Sequence, residues 1–299
     1  MRVLVTGASG FVGRQAVTAL IASGAEVHAA ARHPLPIDCA WHAADLLDLD
    51  ATRRVVGEVR PDVVLHLAWC VGHGVFWTDP ANSDWVAATL ALAETAAETG
   101  CRHFTGVGTG YEYDWPADGD CLEGATPLAG HTPYDIAKAR CRSALQSLFA
   151  ARGVRFAWAR LFFLYGPHED PRRLVSSVAR ALASGEPAAC SRGLAVRDFM
   201  DVRDAGAALA AVTLAGATGD INIGSGHGAC IAEIASTLGD LAGRPDLVRL
   251  GALADRADEP PRIVADVLRL TGEVGFRPRI DLRSGLRDAL AFWATLPSP

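Results

Sequence analysis

Residues 2–13 read RVLVTGASGFVG, a short β-rich run that leads into glycines spaced three apart. Residues 14–23 then have the apolar spacing of an amphipathic helix, and a second β-rich run follows at 26–30. In such a unit one glycine allows the tight turn, one lets a pyrophosphate approach the backbone, and one permits close packing of the helix on the strand. The helix N-terminus then receives the phosphate. The stretch predicts a dinucleotide-binding βα unit, whose cofactor contacts are expected to be Gly7, Ser9, Gly10, Phe11, Val12 and Gly13.

The end of the second strand bears on which dinucleotide is bound. NAD-binding proteins of this layout usually place an acidic residue there, against the 2′-hydroxyl of the adenosine ribose. Here Ala31 removes that carboxylate, and Arg32 supplies a planar guanidinium able to bind a 2′-phosphate. NADP(H) is therefore favoured and NAD(H) remains possible; the alternative is that Arg32 is simply an exposed loop residue. Asp45 and Leu46 are placed to reach the adenine edge, although a plain surface role also explains Asp45.

The composition favours a small-molecule partner. The chain has 299 residues, of which 50% are hydrophobic and 21% charged, and its net charge is −6. The net negative charge and the lack of a Lys/Arg run make nucleic acid and an anionic membrane surface unexpected as partners. No apolar stretch approaches the roughly 20 residues of a membrane span, and the first residues lack the layout of a signal peptide.

Cysteine and histidine usage adds two expectations. The 7 cysteines are scattered singly without a C-x-x-C pair, as is typical of reduced thiols, so a cytoplasmic protein is expected. The 9 histidines lack the paired spacing of metal ligands, so no metal site is expected. His66 and His103 lie in apolar runs and are expected to be structural.

Residues 62–69, DVVLHLAW, form a continuous apolar run that is typical of a parallel strand covered by helices on both faces. The end of this strand, Leu67, Ala68 and Trp69, is expected to let the cofactor backbone pass close by. The next predicted strand leads into Thr109, and open α/β sheets bind ligands beyond the C-terminal ends of their strands. The alternation of strands and helices predicts an α/β fold with a doubly wound parallel sheet.

A second chemical signal is Tyr134-Asp135-Ile136-Ala137-Lys138. Thr132 is a good N-cap and Pro133 a good first helical residue, so a helix is predicted to begin here. Positions i and i+4 share one helix face, which places the phenol of Tyr134 near the ammonium of Lys138. That charge is expected to lower the pKa of the phenol and to make it a better acid–base group. The alternative is an ordinary surface pair.

These motifs together resemble the extended short-chain dehydrogenase/reductase family, in particular its nucleotide-sugar epimerases, dehydratases and ketoreductases. The resemblance runs nearly end to end. It is carried by TGASGFVG at 6–13, HLA at 66–68, Thr109, YDIAK at 134–138, RLFFLYGP at 160–167, VRDFMDV at 196–202 and INIGSG at 221–226.

The resemblance implies a Rossmann-type sheet, a smaller C-terminal substrate-binding lobe and a catalytic set. Thr109 would hydrogen-bond the substrate oxygen, Tyr134 would transfer a proton, and Lys138 would bind the nicotinamide ribose. Tyr111 would line the sugar pocket, and Arg197 and Arg262 would contact the diphosphate or base, with a structural salt bridge as the alternative for each arginine. The implied Rossmann domain is 1–166 with 196–226 returning to it, and the implied lobe is 167–195 with 227–299.

The resemblance also indicates which reaction of the family is expected. Dehydratases of the family carry an Asp-Glu pair directly after the threonine, whereas Gly110 and Tyr111 follow it here, so dehydration is not expected. A net reductase draws on NADPH, which Ala31 and Arg32 favour, and reduction of the 4-keto group of a nucleotide-linked 6-deoxysugar is the leading prediction. The alternatives are a nucleotide-sugar 4-epimerase with tightly bound NAD, a reductase of another ketone, and a cofactor sensor that regulates a partner. Alanine-rich helices at 84–100 and 134–150 match those that pair relatives into homodimers.

Overall fold

The computed structural model describes residues 1–257 and 259–296. The strands are β1 (Arg2–Thr6), β2 (Glu26–Ala31), β3 (Ala40–Ala43), β4 (Val63–His66), β5 (His103–Thr109), β6 (Arg155–Leu161), β7 (Phe163–Tyr165), β8 (Ala188–Ala189), β9 (Val196–Asp201), β10 (Gly219–Ile223), β11 (Gly228–Cys230), β12 (Val248–Arg249) and β13 (Arg262–Ile263). The α-helices are α1 (Gly13–Ala22), α2 (Leu49–Val59), α3 (Ala81–Glu98), α4 (Pro133–Arg152), α5 (Leu174–Ala183), α6 (Val202–Ala215), α7 (Ile231–Leu241), α8 (Leu268–Gly272) and α9 (Leu282–Ala294). Short 3₁₀ turns lie at Gly110–Glu112 and Pro245–Leu247.

The main sheet is parallel and has seven strands in the order β10-β6-β5-β4-β1-β2-β3. From β1 the chain builds outward through β2 and β3, then crosses back to add β4, β5, β6 and finally β10 on the other side. The strand order therefore reverses between β1 and β4, and doubly wound sheets bind ligands in the crevice at this point. The predicted Rossmann-type α/β fold is confirmed.

Helices cover both faces of this sheet because its central strands are apolar on both sides. Val3 and Val5 of β1 pack with α1 and α6, whereas Leu4 between them packs with α2, α3 and α4. Helices α1 and α6 lie very close, since a Cβ atom on Gly206 would stand 2.5 Å from the Cβ of Gln15. The glycine in α6 is thus what lets the two helices touch.

A smaller set of elements lies beyond the C-terminal edge of the main sheet. Strand β9 is paired with β7, β11 and β13 in a four-stranded sheet, and β8 pairs with β12. Helices α5, α7 and α9 share one apolar cluster around Val178, Ile234 and Leu286. Of the 196–226 stretch expected to return to the Rossmann domain, α6 and β10 lie with the main sheet, while β9 belongs to the smaller one. The division into two lobes stays a prediction.

Helix α4 begins where the sequence predicts. The Thr132 hydroxyl accepts a hydrogen bond from the Asp135 amide at 3.4 Å, and the Asp135 carboxylate accepts one from the Thr132 amide at 3.0 Å. This reciprocal capping box fixes the first turn and therefore the position of Tyr134. None of the helices in the described ranges has the length and apolar character needed to cross a bilayer.

Candidate active site

The glycine turn between β1 and α1 is shaped for an anion. Gly7 has a φ of +66°, and a Cβ atom on it would stand 2.7 Å from the Ala68 amide nitrogen, so the turn lies directly against the end of β4. A Cβ atom on Gly13 would stand 2.1 Å from the Gly7 carbonyl oxygen. Among the described residues, the amides of Phe11, Val12 and Gly13 have no hydrogen-bond acceptor. Unpaired N–H groups at a helix N-terminus bind phosphate, so the turn fits the pyrophosphate of a dinucleotide.

The end of β2 presents a cation in place of an acid. Ala31 is buried, and Arg32 beside it is exposed and has no ion-pair partner in the part of the chain that the structure describes. Leu46 is buried, while the exposed Asp45 accepts a hydrogen bond from the Leu47 amide at 3.1 Å. An exposed guanidinium with no carboxylate paired to it is able to bind a phosphate.

His66 is a structural residue, as expected. Its Nδ1 is hydrogen-bonded to the Thr6 hydroxyl at 2.7 Å and its Nε2 to the Thr89 hydroxyl at 2.9 Å. Burial lowers the pKa of His66 to about 3, so the ring is neutral at physiological pH. The histidine therefore ties β1, β4 and α3 together under the glycine turn.

Thr109, Tyr134 and Lys138 lie between the C-terminal end of β5 and the first turns of α4, with 8%, 7% and 5% of their surfaces exposed. The Lys138 ammonium donates to the Val107 carbonyl at 2.9 Å, which anchors α4 to β5 two residues before Thr109. The Thr109 hydroxyl accepts from the Tyr111 amide at 3.2 Å, so its own proton is directed elsewhere. The structure thus collects the three side chains at the strand edge; their catalytic roles stay predictions.

The pKa of Tyr134 moves opposite to the expectation. Burial raises it strongly, and the carboxylates of Glu112 and Asp135 raise it further. The Lys138 ammonium stands 5.9 Å from the centre of the Tyr134 ring and only 3.7 Å from the Trp69 ring, and burial lowers its own pKa to about 8. The expectation that Lys138 lowers the pKa of the phenol is wrong here, because loss of water raises that pKa and Lys138 is not among the groups that oppose the rise.

A run of aromatic residues covers Tyr134. We call residues 69–80 the aromatic strap. The rings of Trp69, Phe76 and Trp77 lie edge-on to the Tyr134 ring, with centroids 6.4, 4.8 and 5.8 Å away. The Tyr134 amide donates to the Trp77 carbonyl at 3.1 Å, which fastens the strap to α4.

Asn82 holds the strap from the other side. Its side-chain oxygen accepts from the Trp69 indole at 2.8 Å, and its amide nitrogen donates to the Phe76 and Asp79 carbonyls at 2.8 and 2.9 Å. The Leu67–Trp69 segment was expected to leave room for the cofactor. Leu67 and Ala68 do lie against the glycine turn, but the Trp69 ring covers Lys138, because its indole is pulled toward Asn82.

Glu112 is a site residue that the sequence did not reveal. It is fully buried and accepts from the Thr109 amide at 2.8 Å, from the Trp158 indole at 3.0 Å and from Arg160 at 2.9 Å. Its carboxylate therefore fixes the backbone of Thr109. One sequence signal could have indicated Glu112. An acidic residue follows shortly after the apolar strand that ends at Thr109, and Arg160 lies in another apolar strand, where it can balance that charge.

Tyr111 lies at the mouth of the site. Its ring contacts Trp77, Trp115 and Phe163 at centroid distances of 4.8, 5.3 and 5.9 Å, and burial raises the pKa of its hydroxyl. The residue is therefore part of an aromatic wall continuous with the strap.

The two predicted substrate arginines are both in ion pairs, the alternative left open by the sequence. Arg197, with 4% of its side chain exposed, lies 3.0 Å from Glu259, and Arg262 lies 2.5 Å from Asp120. A third arginine, Arg256, is exposed. Its charge partly offsets the rise that burial causes in the pKa of Tyr111 and adds to the lowering of the pKa of Arg197, so Arg256 stands near both side chains.

In residues 1–257 and 259–296, no three or more His, Cys, Asp or Glu side chains are arranged to hold a metal ion. The glycine turn instead fits the pyrophosphate of a dinucleotide. The contacts of Arg32 with the adenosine ribose and of Lys138 with the nicotinamide ribose stay predictions.

Comparisons with known proteins agree with this geometry. Residues 3–224 match the model of the NAD dependent epimerase/dehydratase family. A dTDP-glucose 4,6-dehydratase of Actinoplanes sp. is 27% identical over 98% of both chains, and a GDP-6-deoxy-D-mannose reductase of Pseudomonas aeruginosa is 29% identical over 98% of this chain and 97% of its own. The structure of UDP-glucose 4-epimerase from Thermus thermophilus in complex with NAD superimposes with a TM-score of 0.87 at 27% identity, covering 98% of this chain and 99% of that one. The chain belongs to the NAD-dependent epimerase/dehydratase family and is an NAD(P)-dependent enzyme of the extended short-chain dehydrogenase/reductase type.

Proposed function

We propose that the protein is an NADPH-dependent reductase that converts the 4-keto group of a nucleotide-linked 6-deoxysugar to a hydroxyl. The observation that carries this proposal is the end of β2, where the usual acid is replaced by a buried Ala31 and by Arg32, which has no ion-pair partner among the described residues. A net reductase oxidises one reduced cofactor in each turnover and usually draws on NADPH. NADPH differs from NADH by its 2′-phosphate, which Arg32 could bind. The relative from Pseudomonas aeruginosa is named as a reductase of a nucleotide-linked 6-deoxysugar, which supports the same reaction type.

The site residues have matching tasks in a reduction. Reduced nicotinamide, when bound, supplies a hydride. Thr109 has its hydroxyl oxygen occupied by the Tyr111 amide, so its proton is free to be donated to the substrate oxygen. Tyr134 holds its proton at neutral pH and would deliver it to the same oxygen. Glu112 keeps Thr109 in position through the Thr109 amide.

Recognition of the substrate falls to the aromatic wall and the arginines near it. The rings of Trp77, Tyr111 and Phe163 suit the apolar face of a sugar that has lost a hydroxyl. We assign diphosphate or base contacts to Arg197 and Arg262, as the sequence predicted, and add Arg256. Arg256 is the one of the three that is exposed and has no ion-pair partner among the residues described.

A dehydratase is less well supported. The Actinoplanes relative is named as one, but Gly110 and Tyr111 follow Thr109 here, and neither carries a carboxyl group for removing water. Glu112, the nearest acid, is fully buried and is paired with Arg160.

The second candidate is a nucleotide-sugar 4-epimerase that keeps its NAD. The Thermus thermophilus structure is an epimerase bound to NAD, and the closed strap over Tyr134 would help to retain a cofactor between cycles. Such an enzyme returns its hydride to the sugar and consumes no reductant overall.

A panel of dTDP-, GDP- and CDP-4-keto-6-deoxysugars with NADPH separates the two candidates. We expect one sugar of the panel to be reduced, with one NADPH oxidised for each sugar. The absorbance of the reduced nicotinamide measures this reaction. A protein that purifies with NAD and interconverts 4-epimers without consuming NADPH would instead be the epimerase.

We further propose that the protein is a cytoplasmic homodimer paired through α3 and α4. These helices pack on each other, and both carry exposed alanines, such as Ala87 and Ala150, away from the sheet. Light scattering should give twice the mass of the chain, and a monomeric mass would exclude this pairing.

A further inference from the structure

Four charged side chains of alternating sign form a chain of ion pairs that begins next to Thr109. Glu112 lies 2.9 Å from Nε of Arg160, and Nη1 of Arg160 lies 3.1 Å from Asp220. Asp220 in turn accepts from Nε and Nη2 of Arg142 at 2.6 and 2.7 Å. We call these four residues the ion ladder. Its inner pair is fully buried, and its two negative charges balance its two positive ones, as buried ions require.

One end of the ladder holds the strand end that carries Thr109. Oε1 of Glu112 accepts from the Thr109 amide at 2.8 Å, while Oε2 pairs with Arg160. A Cβ atom on Gly108 would overlap both the Glu112 carboxylate and the Trp158 indole nitrogen, so glycine is what leaves room for the carboxylate against the strand. The place of the Thr109 hydroxyl therefore depends on where Glu112 is held.

The other end of the ladder holds the helix that carries Tyr134. Tyr134, Lys138 and Arg142 follow one another on α4 at intervals of four residues, about one helical turn each. Asp220, the partner of Arg142, lies on β10 at the edge of the main sheet. A two-pronged contact between a guanidinium and a carboxylate fixes orientation as well as distance, so this pair helps to set how α4 lies against the sheet.

Arg160 joins the two ends. It lies on β6, which stands between β5 and β10 in the main sheet. Its Nη2 is buried and has no hydrogen-bond partner among the residues that the structure describes, so Arg160 depends on Glu112 and Asp220 for the compensation of its charge. Because buried charges of this kind are coupled, a change at the outer pair is expected to be felt at Glu112.

We propose that the ion ladder holds Thr109 and Tyr134 at the separation that the reaction needs, and that Arg142 is a positioning residue acting on Thr109 from the far end of the ladder. The proposal rests on the roles proposed for Thr109 and Tyr134, whose hydroxyls act on one substrate oxygen but belong to different elements, β5 and α4. Lys138 ties these elements together once, through the Val107 carbonyl, and the ladder ties them a second time. A reacting group displaced by about 1 Å can slow turnover by roughly 100-fold.

The first test needs no substrate. Hydrogen exchange of the full-length protein is followed by mass spectrometry in peptides that cover residues 107–113, which contain the amide bonded to Glu112. Arg142→Met removes the outer pair and leaves Glu112 in place. We expect exchange in 107–113 to become about tenfold faster or more, because local opening becomes easier, while β1 and α1 exchange as in the wild type. Arg53→Met, at an exposed arginine of α2 that also pairs with an aspartate, is the matched control and should change nothing in 107–113.

Steady-state kinetics measure the consequence for the reaction. Arg142→Met should lower kcat by about tenfold or more and change the KM for cofactor and sugar by less than about threefold, because misplaced reacting groups slow the chemical step more than they weaken binding. Arg142→Lys keeps the charge but not the planar fork, so it should recover part of the loss. Arg53→Met should turn over as the wild type does. For a 4-epimerase, the same variants are compared by the interconversion of 4-epimers.

Two results would overturn the proposal. One is an Arg142→Met variant, folded by its thermal unfolding, in which residues 107–113 exchange as in the wild type. The other is a variant with faster exchange there whose kcat is unchanged or whose KM alone rises. If Arg142→Met does not fold, Asp220→Asn weakens the same pair and takes its place. A protein that turns over none of these sugars loses the proposed function, and the exchange measurement still decides whether the ladder couples α4 to Thr109.

Discussion

The hydroxyl of Tyr134 is held in its protonated form by its surroundings. Burial and the nearby carboxylates of Glu112 and Asp135 raise its pKa, and the Lys138 ammonium is turned toward Trp69 and Val107. The phenol therefore keeps its proton at neutral pH.

The replacement Tyr134→Phe removes the hydroxyl and keeps the ring that packs on Phe76 and Trp77. We expect turnover to fall by ~100-fold or more, the range for loss of a general acid, with thermal unfolding and cofactor binding unchanged. Tyr165→Phe is the matched control, because it removes a buried hydroxyl that donates to the Leu282 carbonyl. If Tyr134→Phe turned over substrate as fast as this control, Tyr134 would not be the proton donor.

Glu169 makes stability depend on pH in a defined direction. It is buried, it accepts a hydrogen bond from Ser176 at 2.6 Å, and burial raises its pKa from 4.5 to about 7. The folded state thus favours the protonated carboxyl. The destabilisation is absent below about pH 4.5, grows as the pH rises, and is complete above about pH 7.

Glu169→Gln removes this titration and keeps a polar group for Ser176. The free energy of unfolding of the variant, relative to the wild type, should rise between pH 4.5 and 7 by on the order of 3 kcal/mol. Urea unfolding at several pH values measures this difference. A difference that stays constant with pH would show that the carboxyl does not titrate in this window.

At the scale of elements, the aromatic strap covers Tyr134 and Lys138. The Trp69 ring lies on the ammonium of Lys138, the group assigned to the nicotinamide ribose, and Asn82 holds it there. If Lys138 binds the nicotinamide ribose as proposed, we expect this ring to shift when the cofactor binds. The turn of chain around Gly74, whose φ is +84°, gives the strap a point at which to bend.

Binding of NADP⁺ should therefore change the fluorescence of Trp69. We expect Trp69→Phe to lose most of the change seen in the wild type, and Trp293→Phe, in the α5–α7–α9 cluster, to retain it. Titration at matched protein concentration compares the two variants. An unchanged signal in Trp69→Phe would mean that the ring stays in place when the cofactor binds.

At the scale of the whole molecule, local signals made the fold predictable. Glycine spacing, the Thr132–Asp135 capping box and continuous apolar strands each act within a few residues, and they located β1, α1, α4 and the parallel sheet. Thr109, Tyr134 and Lys138 lie together at the C-terminal end of β5. The doubly wound topology predicts this, because such sheets bind ligands beyond the C-terminal ends of their strands.

What the sequence missed depends on contacts between distant segments. Glu112 pairs with Arg160, which lies 48 positions further along the chain. For Arg197 the sequence left a salt bridge open, but its partner Glu259 lies 62 positions away, and no local pattern identifies it. The reversed pKa shift of Tyr134 has the same origin, because its desolvation comes from the strap, another part of the chain.

The central claim is a net transfer of hydride from NADPH to the sugar, completed by a proton from Tyr134. The most direct measurement uses NADPH deuterated at the transferred position and the 4-keto-6-deoxysugar that the panel selects, with the product examined by mass spectrometry and NMR. We expect one deuterium at carbon 4 of the sugar for each NADP⁺ formed. Interconversion of 4-epimers with no deuterium in the sugar and no NADP⁺ formed would contradict it.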